Sequence, residues 1–417
     1  MRGCTPTSWW PASYLSSHAA NASVIDSALT APCTDRGREA FRQLRAVEFP
    51  WTAETVYLNN AGVGPVPERS RRLMDEFNAK RTAPYLLAER DLRAALCAAR
   101  RAAARLINAD VEEIALAPNT SFGLNLAASA LPLHPGERVL LSDREFPANV
   151  HPWLRLRERG IEVEVAPTTP AGWPNEEYLL DRLREGRVRV LTVSFVQFAS
   201  GYRVSLDRLS EACRANGTYL VVDAIQALGN VPFDVRRPPV ALLACGGQKW
   251  LLSPWGSGFV YVRRELISLI EPVVCGWMAF EGTDDFTQLT SYETTLRGDA
   301  RRYELGTLPV QDFVGMTESI NLLLELTVER VAEHVRQVRE PLCRLAAAGK
   351  LRLASPTDPE HDSAIVCVVP EHVAEAFHAL KKAHVIGALR EGSIRLSPHC
   401  YNTVEELEKV AAILVGQ

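Results

Sequence analysis

Two residues whose side chains suit catalytic chemistry lie at the ends of apolar segments in the middle of the chain. Asp223 ends one of these segments, and Lys249 follows the next one, residues 242–245, after a pair of glycines. Lys249 is the only lysine between Lys80 and Lys350 in a chain that otherwise takes its positive charge from arginine. A deprotonated lysine forms a Schiff base with a carbonyl group, which arginine cannot do. Lys249 is therefore chemically distinctive and a candidate for covalent attachment, and the alternative is a surface lysine at the end of a strand.

Asp223 lies at the C-terminal end of a predicted buried strand, residues 219–223. Ligands of parallel sheets bind at this edge. A buried carboxylate is costly unless a cation meets it, and the protonated pyridine nitrogen of a ligand would be such a cation. The alternative is that Asp223 caps the helix that follows.

Two further segments are suited to anions. Thr120 and Ser121 follow a predicted strand and open a helix, where free N–H groups and hydroxyls favour a phosphate. Arg395 lies on a short C-terminal strand, and its planar guanidinium can hold a carboxylate through two hydrogen bonds. The alternatives are an ordinary helix cap for Thr120 and Ser121 and a surface salt bridge for Arg395.

Alternating apolar runs and helical patterns predict the elements that position these residues. This alternation is typical of a largely parallel sheet covered by helices. Upstream of it, residues 68–108 predict one or two amphipathic helices, and the Gly- and Pro-containing segment 59–65 predicts a loop near the site. The strand candidates are residues 114–117, 139–142, 163–166, 188–194, 219–223, 242–245 and 258–262.

The pattern changes beyond about Tyr303. A helical stretch from 314 to about 348 precedes strand candidates at 364–369 and 393–396 and a closing helix from Val404. A chain of 417 residues also exceeds what one core usually supports. We therefore expect three parts: a flexible extension (1–36), a large domain (37–302) whose N-terminal helix packs on the small domain, and a smaller α+β domain (303–417).

The composition excludes several classes of protein. With 47% hydrophobic and 23% charged residues the chain is expected to fold, and a net charge of −4 gives no general attraction to nucleic acid or to anionic membranes. No apolar run reaches the roughly 18–20 residues of a membrane helix, and no secretory signal is evident. The nine cysteines lack zinc-type spacing, which favours reduced thiols, no metal site and a cytoplasmic location.

Six motifs in their order along the chain resemble the class V aminotransferase family of fold-type I pyridoxal 5'-phosphate (PLP) enzymes. This family includes cysteine desulfurases, kynureninase and isopenicillin N epimerase. The resemblance covers about Tyr57 to Glu408 and implies an α/β fold, with a large, mostly parallel sheet domain and a smaller C-terminal α+β domain, and PLP as cofactor. The motifs are the 59–65 loop, Thr120-Ser121, Asp223-Ala224-Ile225-Gln226, Gly247-Gln248-Lys249, Glu304-Leu305-Gly306-Thr307, and Ile394-Arg395 with Tyr401-Asn402-Thr403.

The resemblance also implies a role for each site residue. Lys249 corresponds to the Schiff-base lysine, Asp223 keeps the pyridine nitrogen protonated, and Arg395 binds the substrate α-carboxylate. Phe146 corresponds to the residue that stacks on the ring, and Thr307 to one that reaches the phosphate of a partner subunit, which implies a homodimer. The remaining implied residues are Thr120 and Ser121 at the phosphate, Gln226 at the ring 3'-oxygen, Gln248 at the cofactor, and Asn60 and Phe198 beside the substrate.

Several positions depart from the pattern of cysteine desulfurases. Phe146 and Gln248 stand where those enzymes usually have histidines, and Phe198 stands where they tend to have asparagine. The segment 384–392, before Arg395, has no cysteine to accept sulfur, and Cys400 is expected to be a small buried thiol. We therefore expect a more apolar pocket than theirs.

The resemblance implies that Lys249, once freed, removes the α-proton of an amino-acid substrate. The later steps give transamination, epimerisation or elimination, and the sequence does not choose among them. We favour an aminotransferase or lyase acting on a small or medium amino acid, with a cysteine desulfurase or an epimerase as alternatives. Alternatives of other classes are a non-catalytic PLP-binding sensor or scaffold and a two-domain binding protein without PLP.

Overall fold

The computed structural model describes residues 35–416. The described chain begins with helix α1, Asp35–Glu48. Most of the predicted flexible extension, 1–36, therefore lies outside the described residues. The domain boundaries proposed above stay predictions.

Seven strands form one central sheet in the order β2-β8-β7-β6-β5-β3-β4. Only β8 runs antiparallel to its neighbours, so the prediction of a large, mostly parallel sheet is confirmed. The strands are β1 (Val56–Tyr57), β2 (Ile114–Leu116), β3 (Arg138–Ser142), β4 (Glu162–Ala166), β5 (Val188–Ser194), β6 (Tyr219–Asp223), β7 (Leu242–Gly246), β8 (Gly258–Val262), β9 (Val366–Val368), β10 (Val385–Ile386), β11 (Ala388–Arg390) and β12 (Ser393–Leu396).

The central sheet is buried on both faces. Along β6, Leu220 and Val222 face one hydrophobic cluster, whereas Val221 between them faces another. Successive side chains of a strand point to opposite faces, so an uninterrupted apolar run suits a strand that is covered on both sides. This is why the apolar runs of the sequence fold as interior strands.

Helices cover both faces of the sheet, and none within residues 35–416 is long and apolar enough to cross a bilayer. The predicted helical stretch 314–348 is divided in two at Thr327, which has a φ of 58° and caps the second helix. The helices after α1 are α2 (Glu68–Arg81), α3 (Glu89–Leu106), α4 (Thr120–Ala130), α5 (His151–Leu154), α6 (Glu176–Arg184), α7 (Leu206–Ala215), α8 (Arg264–Ile267), α9 (Val310–Leu326), α10 (Val328–Ala347), α11 (Val373–Lys382) and α12 (Val404–Val415).

The C-terminal part builds a second, smaller sheet. Strands β11, β12 and β9 are antiparallel in that order, and β12 and β9 share a hydrophobic cluster with α11 and α12. Strand β1 from the start of the chain pairs in parallel with β10 beside this sheet. Helix α1 contacts α12 through an ion pair between Arg45 and Glu406, whose N–O distance is 2.6 Å. The two ends of the described chain therefore lie together.

A buried ion pair ties α3 to the segment that leads to Thr307. Arg100 on α3 donates two hydrogen bonds to Glu304, with distances of 2.9 and 2.6 Å. Glu304 also accepts a hydrogen bond of 2.9 Å from the backbone N–H of Leu116 in β2. Both side chains of the pair are buried, so neither charge has water as an alternative partner.

Replacing Arg100 with Met tests the importance of this pair for stability. We expect Arg100→Met to lower the free energy of unfolding by about 3–5 kcal/mol, because the Glu304 carboxylate is left buried without its cation. Arg71→Met is the matched control, because Arg71 forms an exposed pair with Glu68 and is expected to cost less than about 1 kcal/mol. Denaturant unfolding of the three proteins measures both values, and equal losses would contradict this account.

Candidate active site

The carboxyl ends of β6 and β7 bring Asp223 and Lys249 together. The two strands are parallel neighbours, Asp223 is the last residue of β6, and its partner in the register is Ala244 on β7. The turn after β7 then carries Lys249 back over this edge. A Cβ on Gly64 would lie 2.0 Å from the Lys249 carbonyl oxygen, so only glycine allows the predicted loop 59–65 to pack against the lysine backbone.

The side chain of Lys249 is in an environment that favours the neutral amine. Burial lowers its pKa from the usual value to about 8, and the positive charges of Arg395 and Arg390 act in the same direction. Asp223 opposes them, because its carboxylate stabilises the ammonium form. A neutral amine near physiological pH is what a nucleophile and a base require.

Asp223 is a buried carboxyl group with little support from the protein. It is 2% exposed, and its hydrogen-bond partner in the described chain is the backbone N–H of Ile225, at 3.1 Å. The residues after it form turns and not an α-helix, so the helix-cap alternative is wrong. Burial raises the pKa of Asp223 to about 7, and the nearby Glu145 contributes to this shift in the same direction. A positively charged ring nitrogen would relieve this cost.

The N-terminus of α4 lies beside the end of β7. Thr120 is buried, and its Oγ1 accepts a hydrogen bond of 2.9 Å from the backbone N–H of Gly246. Ser121 is exposed, and Asn119 caps the helix by accepting from the Phe122 N–H at 3.0 Å. The other N–H groups of this first turn can hold an anion such as a phosphate.

Two aromatic rings line the approach to Lys249. Phe146 is 44% exposed, and its ring centroid is 5.6 Å from the Lys249 Nζ. Phe198 packs edge-to-face against it at a centroid distance of 5.3 Å. The exposed face of Phe146 is suited to a flat heterocycle, and the pair makes this part of the pocket apolar.

Arg395 is buried on β12 behind the aromatic pair. It is 2% exposed, and its Nη1 donates a hydrogen bond of 2.8 Å to the carbonyl oxygen of Phe198. Its Nε is buried without a partner. Burial lowers the pKa of Arg395 to about 10. No acid of the described chain pairs with it, which disagrees with the surface salt bridge considered as an alternative.

The remaining predicted residues are placed in two ways. Gln226 and Asn60 are buried, and both side-chain amides form hydrogen bonds within the protein. Gln226 accepts from Trp250 and donates to the Ala61 carbonyl oxygen. Asn60 accepts from the Tyr401 hydroxyl and donates to the Lys249 carbonyl oxygen.

Gln248 is partly buried beside Lys249. Thr307 lies at the surface. Their contacts to a cofactor or a substrate stay predictions.

The comparison with family models decides which family has this arrangement. The Aminotransferase class-V model matches residues 56–410. The chain belongs to the class V aminotransferase family.

Curated relatives of this class V enzyme have several different names. This chain is 32% identical over 310 residues to an uncharacterized aminotransferase, YcbU, of Bacillus subtilis, and the alignment covers 74% of this chain and 80% of the relative. It is 30% identical to isopenicillin N epimerase of Streptomyces clavuligerus, covering 86% and 94%. It is 29% identical to a probable cysteine desulfurase of Methanothermobacter thermautotrophicus, covering 88% and 96%.

Solved structures confirm the fold. The apo cysteine desulfurase from Thermococcus onnurineus superposes with a TM-score of 0.80 at 21% identity, covering 90% of this chain and 97% of that one. The cystine C-S lyase C-DES, solved with its product cysteine persulfide, gives a TM-score of 0.79 at 21% identity, covering 88% and 99%. At this identity the likeness concerns the fold alone.

PLP is the cofactor of this class V enzyme, and the geometry of the pocket fits it. A lysine with a lowered pKa can attach the aldehyde, a buried acid without a cation can meet the ring nitrogen, and an exposed aromatic face can cover the ring. The N-terminus of α4 is suited to the phosphate. These four features are on one edge of the central sheet.

One buried acid of this site was not predicted from the sequence. Glu145, directly before Phe146, accepts hydrogen bonds from the Ser194 N–H at 2.8 Å, from Gln197 at 2.7 Å and from Asn149 at 3.2 Å, and also from the Ser194 hydroxyl. Burial raises its pKa. Glu145 therefore fixes the position of Phe146 relative to β5. The segment 143–145 resembles an ordinary polar loop, so no local pattern could have indicated this role.

The lowered pKa of Lys249 predicts the pH dependence of cofactor attachment. With cofactor-free protein, we expect the rate of PLP attachment to rise as the pH passes through about 8 and to level off above it, because only the neutral amine reacts. Stopped-flow absorbance measures this rate.

Asp223→Asn provides the control for this titration. The substitution removes the charge that stabilises the ammonium form, so the midpoint is expected to move to lower pH. A midpoint near 10.4, the ordinary value for lysine, in the unmodified protein would contradict the assignment.

Proposed function

We propose that this class V enzyme is an aminotransferase or a lyase that acts at the α-carbon of an amino acid. One observation carries the proposal: Lys249, with its lowered pKa, lies between the buried acid Asp223 and the arginine Arg395, which has a free Nε. An acid, a base and a carboxylate-binding group in one pocket are the parts that this chemistry requires.

Lys249 has two roles in the proposed reaction. It holds the cofactor covalently between turnovers, and as a neutral amine it accepts the α-proton of the substrate. When bound, PLP supplies an electron sink for the pair of electrons that this proton leaves behind. Asp223, buried at the end of β6, favours a proton on the group that it faces, and the resulting cation in turn stabilises its carboxylate.

Arg395 orients the substrate in this proposal. Its Nη1 is fixed on the Phe198 carbonyl oxygen, which leaves the buried Nε and the rest of the guanidinium edge for a carboxylate. Charge-assisted hydrogen bonds of this kind are strong and set the angle of the planar carboxylate. Phe146 and Phe198 then exclude water from the α-carbon.

The positions of the cysteines support a lyase or aminotransferase over a cysteine desulfurase. Segment 384–392 has no cysteine, and Cys400 and Cys367, close to Arg395 in sequence and in register, are fully buried. Burial raises the pKa of both thiols, which opposes the thiolate that accepts sulfur. An epimerase stays the other alternative, since two relatives carry that name.

We also infer that the enzyme is a homodimer in which Thr307 reaches the phosphate bound by a partner subunit. Large hydrophobic side chains are exposed on this part of the surface, among them Trp255, which is 72% exposed. A Cβ on the adjacent Gly256 would lie 3.8 Å from Pro309, so Trp255 borders the segment of Thr307. Exposed aromatic residues are enriched in protein interfaces.

A cytoplasmic location is part of the same proposal. Seven cysteines of the described chain are free thiols, and they include exposed and partly buried ones. Free thiols persist in a reducing compartment.

Substitution of Lys249 by arginine tests the central assignment. Lys249→Arg keeps the positive charge but cannot attach the cofactor, so we expect no PLP adduct after borohydride reduction by mass spectrometry. Turnover of an amino-acid panel should fall by about 10²–10⁴-fold or more, since the base is lost too. Lys350→Arg, at an exposed lysine, is the control and should keep both properties. An adduct of normal mass in Lys249→Arg would place the attachment elsewhere.

The same panel separates the reaction types. Amino-group transfer to an added keto acid identifies an aminotransferase, whereas release of ammonia together with a keto acid identifies a lyase. Sulfide from cysteine would favour the desulfurase, and D-amino acid formation the epimerase.

Arg395→Gln tests the substrate anchor. Loss of a buried charged hydrogen bond costs about 2 kcal/mol or more, so KM for the best substrate should rise roughly thirtyfold. Covalent attachment of PLP should survive, because Arg395 contacts the Phe198 carbonyl oxygen and not Lys249. Steady-state kinetics and the borohydride adduct measure the two properties. An unchanged KM would remove Arg395 from the substrate site.

A further inference from the structure

A second arginine projects from the small sheet toward the same pocket. Strands β11 and β12 are joined by Glu391 and Gly392, whose φ values of 45° and 77° define a two-residue hairpin turn. In this register Arg390 faces Ser393, and Arg395 faces Ala388. Residues opposite each other, and residues two apart on one strand, share a face of the sheet. Arg390 and Arg395 are therefore diagonal neighbours on one face.

This face of the small sheet is directed at the active site. Arg395 donates a hydrogen bond to the Phe198 carbonyl oxygen, and Cys367, its partner in the register on β9, donates to the carbonyl oxygen of Ala199 at 3.1 Å. Arg390 is close enough to lower the pKa of both Arg395 and Lys249. The tight turn fixes the backbone of Arg390 beside this face of the small sheet.

Arg390 has no acidic partner in the described chain. The guanidinium of Arg390 donates a hydrogen bond of 2.7 Å to the carbonyl oxygen of the adjacent Leu389. Arg390 is exposed to solvent. Other arginines of this protein pair readily with acids: Arg182, for example, binds Glu164 and Glu185. Two like charges on one face repel each other, and an anion that contacts both of them would remove that cost.

We propose that Arg390 binds a second anionic group of the substrate, so that the preferred substrate is an α-amino acid with an acidic side chain. The inference rests on the proposed function, in which Arg395 holds the α-carboxylate. The two arginines then bind the two ends of a dianionic amino acid. The methylene groups between the two anionic groups of the substrate then contact the apolar rings of Phe146 and Phe198.

The kinetic test compares each acidic amino acid with its neutral amide. For the native enzyme we expect kcat/KM to be at least about tenfold higher for aspartate than for asparagine, or for glutamate than for glutamine, mainly through KM. In Arg390→Gln this ratio should fall to near one. Arg187→Gln, at an exposed arginine before β5, is the matched control and should keep the native ratio.

A binding measurement provides a second result that does not depend on turnover. By calorimetry on the holoenzyme, succinate or glutarate should bind about tenfold more tightly than propionate or butyrate, and Arg390→Gln should abolish the difference. Cysteate and phosphoserine, tested in parallel, identify the preferred anionic group. A preference for either one over the carboxylates still supports a second anion site.

The results separate this inference from the proposed function. Equal use of acids and amides by the native enzyme overturns the inference while the proposed function stands. A preference that persists in Arg390→Gln overturns the role of Arg390. If no amino acid of the panel binds or reacts, the proposed function itself fails.

Discussion

Asp223 is a carboxyl group in the protein interior that has almost no polar support from the chain around it. Removing a carboxylate from water costs several kcal/mol unless a cation compensates it. The protein offsets only part of this free-energy cost. The groups that do so are one backbone N–H and the more distant charge of Lys249. In the proposed site, the protonated ring nitrogen of PLP would supply the cation that the chain itself does not place beside Asp223. Cofactor binding therefore also stabilises the fold, since it relieves a strain that the folded state alone contains.

The charges around Lys249 are arranged in two opposing groups. Asp223 favours the ammonium form, whereas burial, Arg395 and Arg390 favour the neutral amine. The result is a lysine near the point of balance at physiological pH. Small changes in either group therefore shift its protonation. In the proposed function a substrate carboxylate would neutralise the charge of Arg395 as it binds, and this would raise the pKa of Lys249.

Much of the fold could be predicted because its strands are apolar runs with sharp ends. Strands β5, β6, β8 and β12 have the predicted bounds, and Asp223 and Lys249 lie at the sheet edge where parallel strands place ligands. The break at Thr327 was not predicted, because helical periodicity continues across it and the break depends on one residue with a φ of 58°.

From the sequence, only those site residues could be predicted whose type or local motif indicates a chemical role. The burial of Glu145 depends on Ser194 and Gln197, about fifty residues further along, so local sequence says nothing of it. The engagement of Asn60 by Tyr401 is likewise a tertiary contact. The unpaired state of Arg390 becomes visible only when the hairpin and its surroundings are placed.

The pairing of β1 with β10 has a consequence for biosynthesis. Val56 leaves the ribosome long before its partner Val385 and the hairpin with Arg395. Contacts between such distant residues form late, whereas the strands that carry Asp223 and Lys249 emerge well before them. The proposed attachment point of the cofactor is thus synthesised before the proposed anchor of the substrate. A chain cut before this hairpin would keep Asp223 and Lys249 and would lose both Arg390 and Arg395.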